Sequence, residues 1–148
     1  MLFFFYGTLL DGSDNAISAW VHQTLQAIGP ATVSGTLYAI PDPEGWYPAL
    51  LSGDGLVHGR LYQAAAGFGE QDLARLDAYE DYDPRKPETS LYVREAVTAT
   101  ARDGSAREVQ VYRFNLPLPA GARLIDVGDF RAWLNSQGLQ AFGGMRSG

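Results

Sequence analysis

The sequence predicts an α+β chain, a compact single domain with a mixed, mostly antiparallel, barrel-like sheet and a few flanking helices. Segments with strand character outnumber helical ones, and most strands are hairpin-like neighbours with helices inserted among them, not alternating with them. Two strand-like segments also carry an internal glycine in matching tetrapeptides, Gly35-Thr36-Leu37-Tyr38 and Gly59-Arg60-Leu61-Tyr62. A glycine inside a strand marks a bend, a bulge or the close approach of another backbone. Two of them predict a strongly curved sheet that closes into a small barrel.

The elements follow in order. Residues 2–6, Leu-Phe-Phe-Phe-Tyr, form a continuous apolar run ending in Gly7, the pattern of a strand buried on both faces. Ser13, Asp14 and Asn15 are N-cap candidates for a helix in which Ile17, Trp20, Val21, Thr24 and Ile28 share a face. Gly29-Pro30 is the expected stop. Strands are expected over residues 31–40 and 56–62. Between them, two turns rich in Pro, Gly and Asp flank Trp46-Tyr47-Pro48-Ala49-Leu50, and Gly53-Asp54-Gly55 reads as a hairpin turn. Residues 70–80 read as a helix ended by Asp83-Pro84. Residues 92–100 and 108–114 read as a hairpin turning at Asp103-Gly104. Residues 115–119 are a loop, 130–134 belong to a last short helix, and 143–148 are a Gly-rich, frayed tail to a domain spanning 1–148.

Composition narrows the function. A chain of 148 residues buries about 68–70% of its unfolded surface, enough core to stand without staples. It has no cysteine, which removes disulfides, thiolate nucleophiles and Cys-ligated zinc. His22 and His58 lie far apart with no metal-ligand spacing, so no metal is expected. A net charge of −6 without a Lys/Arg stripe argues against nucleic acid. The short apolar start lacks a basic leader, and no run is long enough for a membrane span, so the expected location is the cytoplasm. A monomer is the default.

Glu80 is the most informative residue. Leu76 and Leu73 precede it by four and seven positions, so the three share a helix face. A carboxylate on a core-facing stripe is desolvated, and the negative end of the helix dipole also opposes its charge. Nearby Asp77, Asp81 or Asp83 would add like-charge repulsion. Each effect raises its pKa toward the range where it can take and return protons near neutral pH. The other reading is a helix-terminal acid turned into water. The turn Tyr6-Gly7-Thr8-Leu9 is similarly open. It is either an ordinary strand-to-helix connection or a set of backbone N–H groups at the sheet's edge, able to hold a carboxylate or carbonyl oxygen. The segment after it leads into a helix N-terminus, which adds positive potential. His22 reads as a surface residue. His58 reads as a sheet-face residue that can also line a pocket. Arg94 either orients Glu80 or substrate, or pairs with an acid. No G-x-S-x-G elbow, P-loop or G-x-G-x-x-G occurs.

Together these pieces resemble a known family. Tyr6-Gly7-Thr8-Leu9, then Gly12 and Asn15, match the pattern Y-G-T-L-x-x-G-x-x-N that opens γ-glutamylamine cyclotransferase-like proteins. The wider group includes γ-glutamyl cyclotransferase and AIG2-like plant proteins. The likeness continues through Tyr47-Pro48-Ala49, both G-x-L-Y segments, Leu76-Asp77-x-Tyr79-Glu80, Tyr92-x-Arg94 and Gly128-Asp129-Phe130. It implies the compact cyclotransferase fold, Glu80 as catalytic acid/base, and Tyr6, Gly7, Thr8 and Leu9 as the substrate-binding loop, acting mainly through backbone groups. It also implies a small-molecule γ-glutamyl substrate, converted to 5-oxoproline and a free amine without a covalent intermediate. Two positions depart from the pattern: Asp81 stands where relatives commonly have Gly, and Ala16 where some have His.

Three functions remain open. The first is that cyclotransferase. The second is a binding or regulatory module that keeps the pocket without efficient catalysis. The third is a cyclotransferase that removes a γ-glutamyl cap from a biosynthetic intermediate. The pocket's outer wall, expected in parts of residues 38–51, 82–89 and 115–120, decides which amine leaves.

Overall fold

The computed structural model describes residues 1–7 and 16–142. The expected N-caps Ser13, Asp14 and Asn15 and the tail 143–148 lie outside the described residues. The first strand, β1 (Leu2–Phe5), buries both faces as its apolar run predicts. Phe4 and Tyr6 join one cluster with Val57, Val109 and the helix residues Phe130, Trp133 and Leu134. Phe3 and Phe5 join another with Val21, Leu76, Tyr92 and Tyr112. Alternation along one strand therefore feeds two apolar layers.

Helix α1 (Ala16–Thr24) is shorter than its spacing predicts. The Thr24 hydroxyl donates to the carbonyls of Trp20 (3.0 Å) and Val21 (3.4 Å), and the Thr24 carbonyl accepts from Ala65 N (2.9 Å). Those bonds end the helix, and Leu25 opens strand β2 (Leu25–Asp42). Ile28, expected on the helix face, is instead the extra residue of a bulge between Ala27 and Gly29, and is 51% exposed. Pro30 lies inside β2 just past that bulge, where the ladder is already interrupted.

β2 pairs along its length with β3 (Gly45–Ala64), turning at Pro43-Glu44. The turn expected at Gly53-Asp54-Gly55 is instead a large bulge within β3, because Ser34 pairs with Leu56 while Thr36 pairs with Leu51. The chain does not reverse there. A Cβ on Gly53 would lie 1.9 Å from the Thr36 hydroxyl oxygen, so only glycine lets the bulge fold flat on β2. Helix α2 (Glu70–Tyr79) follows, and its N-cap Gly69 donates its backbone N–H to the Asp72 side chain (2.9 Å). A 3₁₀ turn (Pro87–Thr89) leads to β4 (Tyr92–Ala101), which forms the expected hairpin with β5 (Ala106–Phe114) around Asp103-Gly104. The short β6 (Arg123–Leu124) was not legible in the sequence. Helix α3 (Phe130–Gln137) is capped by Asp129, which accepts from Ala132 N (3.0 Å).

The strands run in the order β3-β1-β5-β4-β2, and the β2–β3 pairing closes the ring, with β6 attached to the outside of β2. Only β1–β5 among the ring's pairings is parallel. The mixed, mostly antiparallel barrel of the sequence analysis is therefore the observed fold. Gly59 makes the closure possible: a Cβ there would lie 2.4 Å from the Phe5 carbonyl oxygen and 2.6 Å from the Phe4 ring. It marks the close backbone approach that the strand glycine predicts.

Candidate active site

The site's first half is the end of β1. The buried Tyr6 phenol donates to the Tyr112 carbonyl on β5 (2.5 Å) and accepts from Leu50 N on β3 (3.3 Å). That side chain holds the strand's end between two others. Gly7 follows, half-buried, and lines a cleft of about 230 Å³ together with His58, Arg60, Asp129 and Arg131. Thr8 and Leu9 lie outside the described residues.

The second half is the end of α2. Leu73 is half-buried, and Leu76 and Glu80 are fully buried, so the apolar stripe does run onto the carboxylate. Glu80 is 0% exposed, which removes the reading of an acid turned into water. Backbone geometry explains why. The helix ends at Tyr79, earlier than Asp83-Pro84 would impose, through two bonds: Asp81 N donates to Ala78 O (3.1 Å) and Tyr82 N to Asp77 O (2.9 Å). This is a Schellman cap with Glu80 at the C-cap and Asp81 as the left-handed residue beyond it, at φ 52°. Glycine usually fills that place. Asp81 is the departure from the family pattern noted in the sequence, and aspartate is among the few side chains that tolerate the conformation.

Asp77, read in the sequence only as a nearby charge, and Tyr112, given no role there, complete the surroundings. Asp77, three positions before Glu80, is only 3% exposed and accepts three hydrogen bonds from two side chains. Arg94 donates through Nε to Oδ1 (2.8 Å) and through Nη2 to Oδ2 (3.3 Å), and the Tyr112 hydroxyl donates to Oδ1 (2.6 Å). Arg94 also donates through Nη1 to Gln110 Oε1 (2.9 Å). Of the two readings of Arg94, pairing with an acid is the one observed. Burial alone would lower the Arg94 pKa, but the hydrogen bond and charge of Asp77 outweigh it and hold the pKa above the ordinary value. The Tyr112 phenol is pushed well above its ordinary value, first by burial, then by the Asp77 charge and hydrogen bond and the Glu80 charge. Arg94 and Tyr112 are direct cross-strand partners in the β4–β5 ladder. The Asp103-Gly104 turn fixes that register, so the hairpin is the signal by which Tyr112 could have been placed opposite Arg94.

Tyr112 joins the halves. Its carbonyl holds the phenol of the residue before Gly7, its hydroxyl holds Asp77, and its ring lies in the field of Glu80. A second, open cavity of about 620 Å³ lies between α2 and the loop after it, lined by Leu73, Asp77, Tyr82, Pro84 and Thr89 among others. It includes part of the 82–89 wall expected from sequence. Glu80 lines neither cavity. His22 is exposed; His58 is exposed and lines the smaller cleft. Among the described residues, no group of His, Asp and Glu is arranged to hold a metal ion, and no helix is long and apolar enough to cross a membrane.

A small barrel closed by a long hairpin, with a fully buried glutamate at the end of a helix packed on it, is the architecture of the cyclotransferase class of folds. The family model for γ-glutamyl cyclotransferase, AIG2-like proteins matches residues 3–132, and the chain belongs to that family. Solved structures share the fold. Escherichia coli YtfP is 26% identical, with 93% of this chain and 99% of that one covered at a TM-score of 0.59. An uncharacterised Pyrococcus horikoshii protein is 14% identical, with 93% and 96% covered at 0.58. A solved γ-glutamyl cyclotransferase is 15% identical, with 77% and 66% covered at 0.54. No curated protein matches significantly by sequence.

Proposed function

We propose that this protein converts a γ-glutamyl amine or peptide into 5-oxoproline and the free amine, with Glu80 as general acid/base and the Tyr6-Gly7-Thr8-Leu9 turn binding substrate. The observation that carries this reading is the wholly buried Glu80, at the end of a helix that Asp77 and Tyr112 join to the end of β1. Complete burial disfavours the charged carboxylate and so raises its readiness to hold a proton.

The reaction is intramolecular. Glu80 takes a proton from the substrate's α-ammonium, and the freed amine attacks the substrate's own δ-carbonyl. A new C–N bond forms and the carbonyl oxygen becomes an oxyanion, held by backbone N–H groups of the 6–9 turn. The original C–N bond then breaks as Glu80 returns its proton to the departing nitrogen, and the ring nitrogen gives up its second proton, which ends on the released amine as an ammonium and leaves the neutral lactam. The reaction as drawn uses no cofactor and takes place in the cytoplasm within the one domain. Much of the rate comes from holding the substrate folded for ring closure.

The test is 5-oxoproline release from a panel of γ-glutamyl amines and dipeptides. Wild type is expected to release it and Glu80→Gln to lose at least about a hundredfold in kcat/KM, the scale of a lost acid/base group. Equal turnover by both would sink the assignment. Binding of the same compounds by wild type without turnover would favour the regulatory module.

A further inference from the structure

We propose that Asp77, Arg94 and Tyr112 are positioning residues for Glu80: a buried ion pair and a phenol fix where that carboxylate lies and balance the charge around it. The inference rests on the acid/base reading of Glu80 and adds the machinery that tunes it.

Asp77 and Glu80 are three residues apart on one helix face, and both are buried. Two carboxylates in one desolvated region repel, and each makes the other harder to ionise. Arg94 offsets this by gripping Asp77 through two nitrogens at 2.8 and 3.3 Å, while a third nitrogen on Gln110 (2.9 Å) stops the guanidinium from turning away. The planar fork suits a carboxylate as lysine would not. Among the described residues, the charged and titratable groups around this end of α2 include Arg75, Asp77 and Tyr79 on the helix, Asp81, Tyr82 and Asp83 beyond it, Lys86 at the cavity rim, Arg94 on β4, Tyr112 on β5 and Tyr6 just past β1. Arg75 and Lys86 are exposed, so among these described residues Arg94 is the cation placed against the buried groups.

Tyr112 cannot be the proton carrier. Burial and the neighbouring Asp77 hold its phenol proton well above the ordinary range, so near neutral pH it keeps that proton, and it donates the hydrogen bond to Asp77 at 2.6 Å. Its place is that of a strut. One end holds Asp77 and so the last turn of α2; the other holds Tyr6 and so the end of β1.

The charges predict opposite signs. Removing the Arg94 cation leaves Asp77 uncompensated, which disfavours the Glu80 carboxylate. Removing the Asp77 anion leaves Arg94 in excess, which favours it. The experiment is NMR titration of protein labelled with ¹³C at glutamate carboxyls, with Glu80 assigned by its disappearance in Glu80→Gln. In Arg94→Gln the Glu80 midpoint is expected to rise by about one pH unit, and in Asp77→Asn to fall by about as much. The Asp77→Asn/Arg94→Gln double variant returns close to wild type. Tyr112→Phe, which keeps every charge, is expected to lose about tenfold in kcat with KM within about twofold, as for a contact made mainly in the transition state.

Midpoints that stay put in the folded single variants, or move the same way in both, overturn the proposal and leave the network a plain structural brace. If Arg94→Gln fails to fold, Asp77→Asn decides alone, and any result but a fall overturns it. The titration needs no turnover. The predicted shifts in a chain that releases no 5-oxoproline would sink the cyclotransferase reading and leave the network standing.

Discussion

At the scale of single residues, Asp81 shows how a departure from a family's pattern can be read. Its left-handed backbone, φ 52°, is what the Schellman cap of α2 requires, and that cap holds Glu80 at the helix end. A β-branched side chain cannot take this conformation without strain. Asp81→Val is therefore expected to cost about 1–3 kcal/mol. For a chain of this size that lowers Tm by about 2–4 °C per kcal/mol. Asp81→Gly removes the Cβ penalty but loosens the unfolded chain, so it should lie within about 1 kcal/mol of wild type, on the stabilising side. Thermal unfolding of the two variants checks both. A Val variant as stable as wild type would mean that the cap does not hold this turn. The aspartate was legible as a departure; its conformation was not, because nothing local distinguishes a left-handed aspartate from an ordinary one.

At the scale of elements, legibility followed the range of the forces involved. β1, the α2 stripe through Leu73, Leu76 and Glu80, and the β4–β5 hairpin were readable, because period and turn chemistry specify them locally. The end of α1 and the course of β3 were not. Ile28 continues the helical spacing, but the Thr24 carbonyl is taken by Ala65, far along the chain, so the segment becomes strand. Gly53-Asp54-Gly55 carries the chemistry of a turn, and only the pairing of Thr36 with Leu51 and Ser34 with Leu56 makes it a bulge. Gly59 was read correctly because a strand glycine has few other uses. It also yields the prediction proper to this scale. Adding a methyl at Gly59 puts a carbon 2.4 Å from the Phe5 carbonyl oxygen, a backbone atom held in the β1–β3 ladder. Gly59→Ala is expected to lose about 1–3 kcal/mol by overpacking, measured by urea unfolding. An unchanged midpoint would show that β1 and β3 have room to part.

At the scale of the whole molecule, the barrel brings together what the chain keeps far apart. Tyr6 and Tyr112 meet because β1 lies beside β5, and Asp77 meets both partners because α2 packs on the layer that contains Tyr92, Tyr112 and Phe114. Glu80 was legible from its own helix. Asp77 and Tyr112 needed the closed ring, since their roles depend on which strands are neighbours. The network leaves a mark on global stability. Burial first, and then the charges of Asp77 and Glu80, hold the Tyr112 proton well above the ordinary phenol range, whereas the unfolded chain releases it near pH ~10. Above that pH the folded state binds the extra proton, so folding weakens as pH rises. The contribution is fully present below pH ~10 and falls by up to about 1.4 kcal/mol per pH unit until the folded phenol itself ionises. The other tyrosines add a background common to wild type and Tyr112→Phe, and the difference between them isolates Tyr112. Wild type should lose its advantage over Tyr112→Phe as urea-unfolding free energies are followed from about pH 8 to about pH 11. A difference that stays flat across that range would mean that the phenol ionises as readily inside the barrel as in water, and that the Tyr112–Asp77 bond does not hold the proton there.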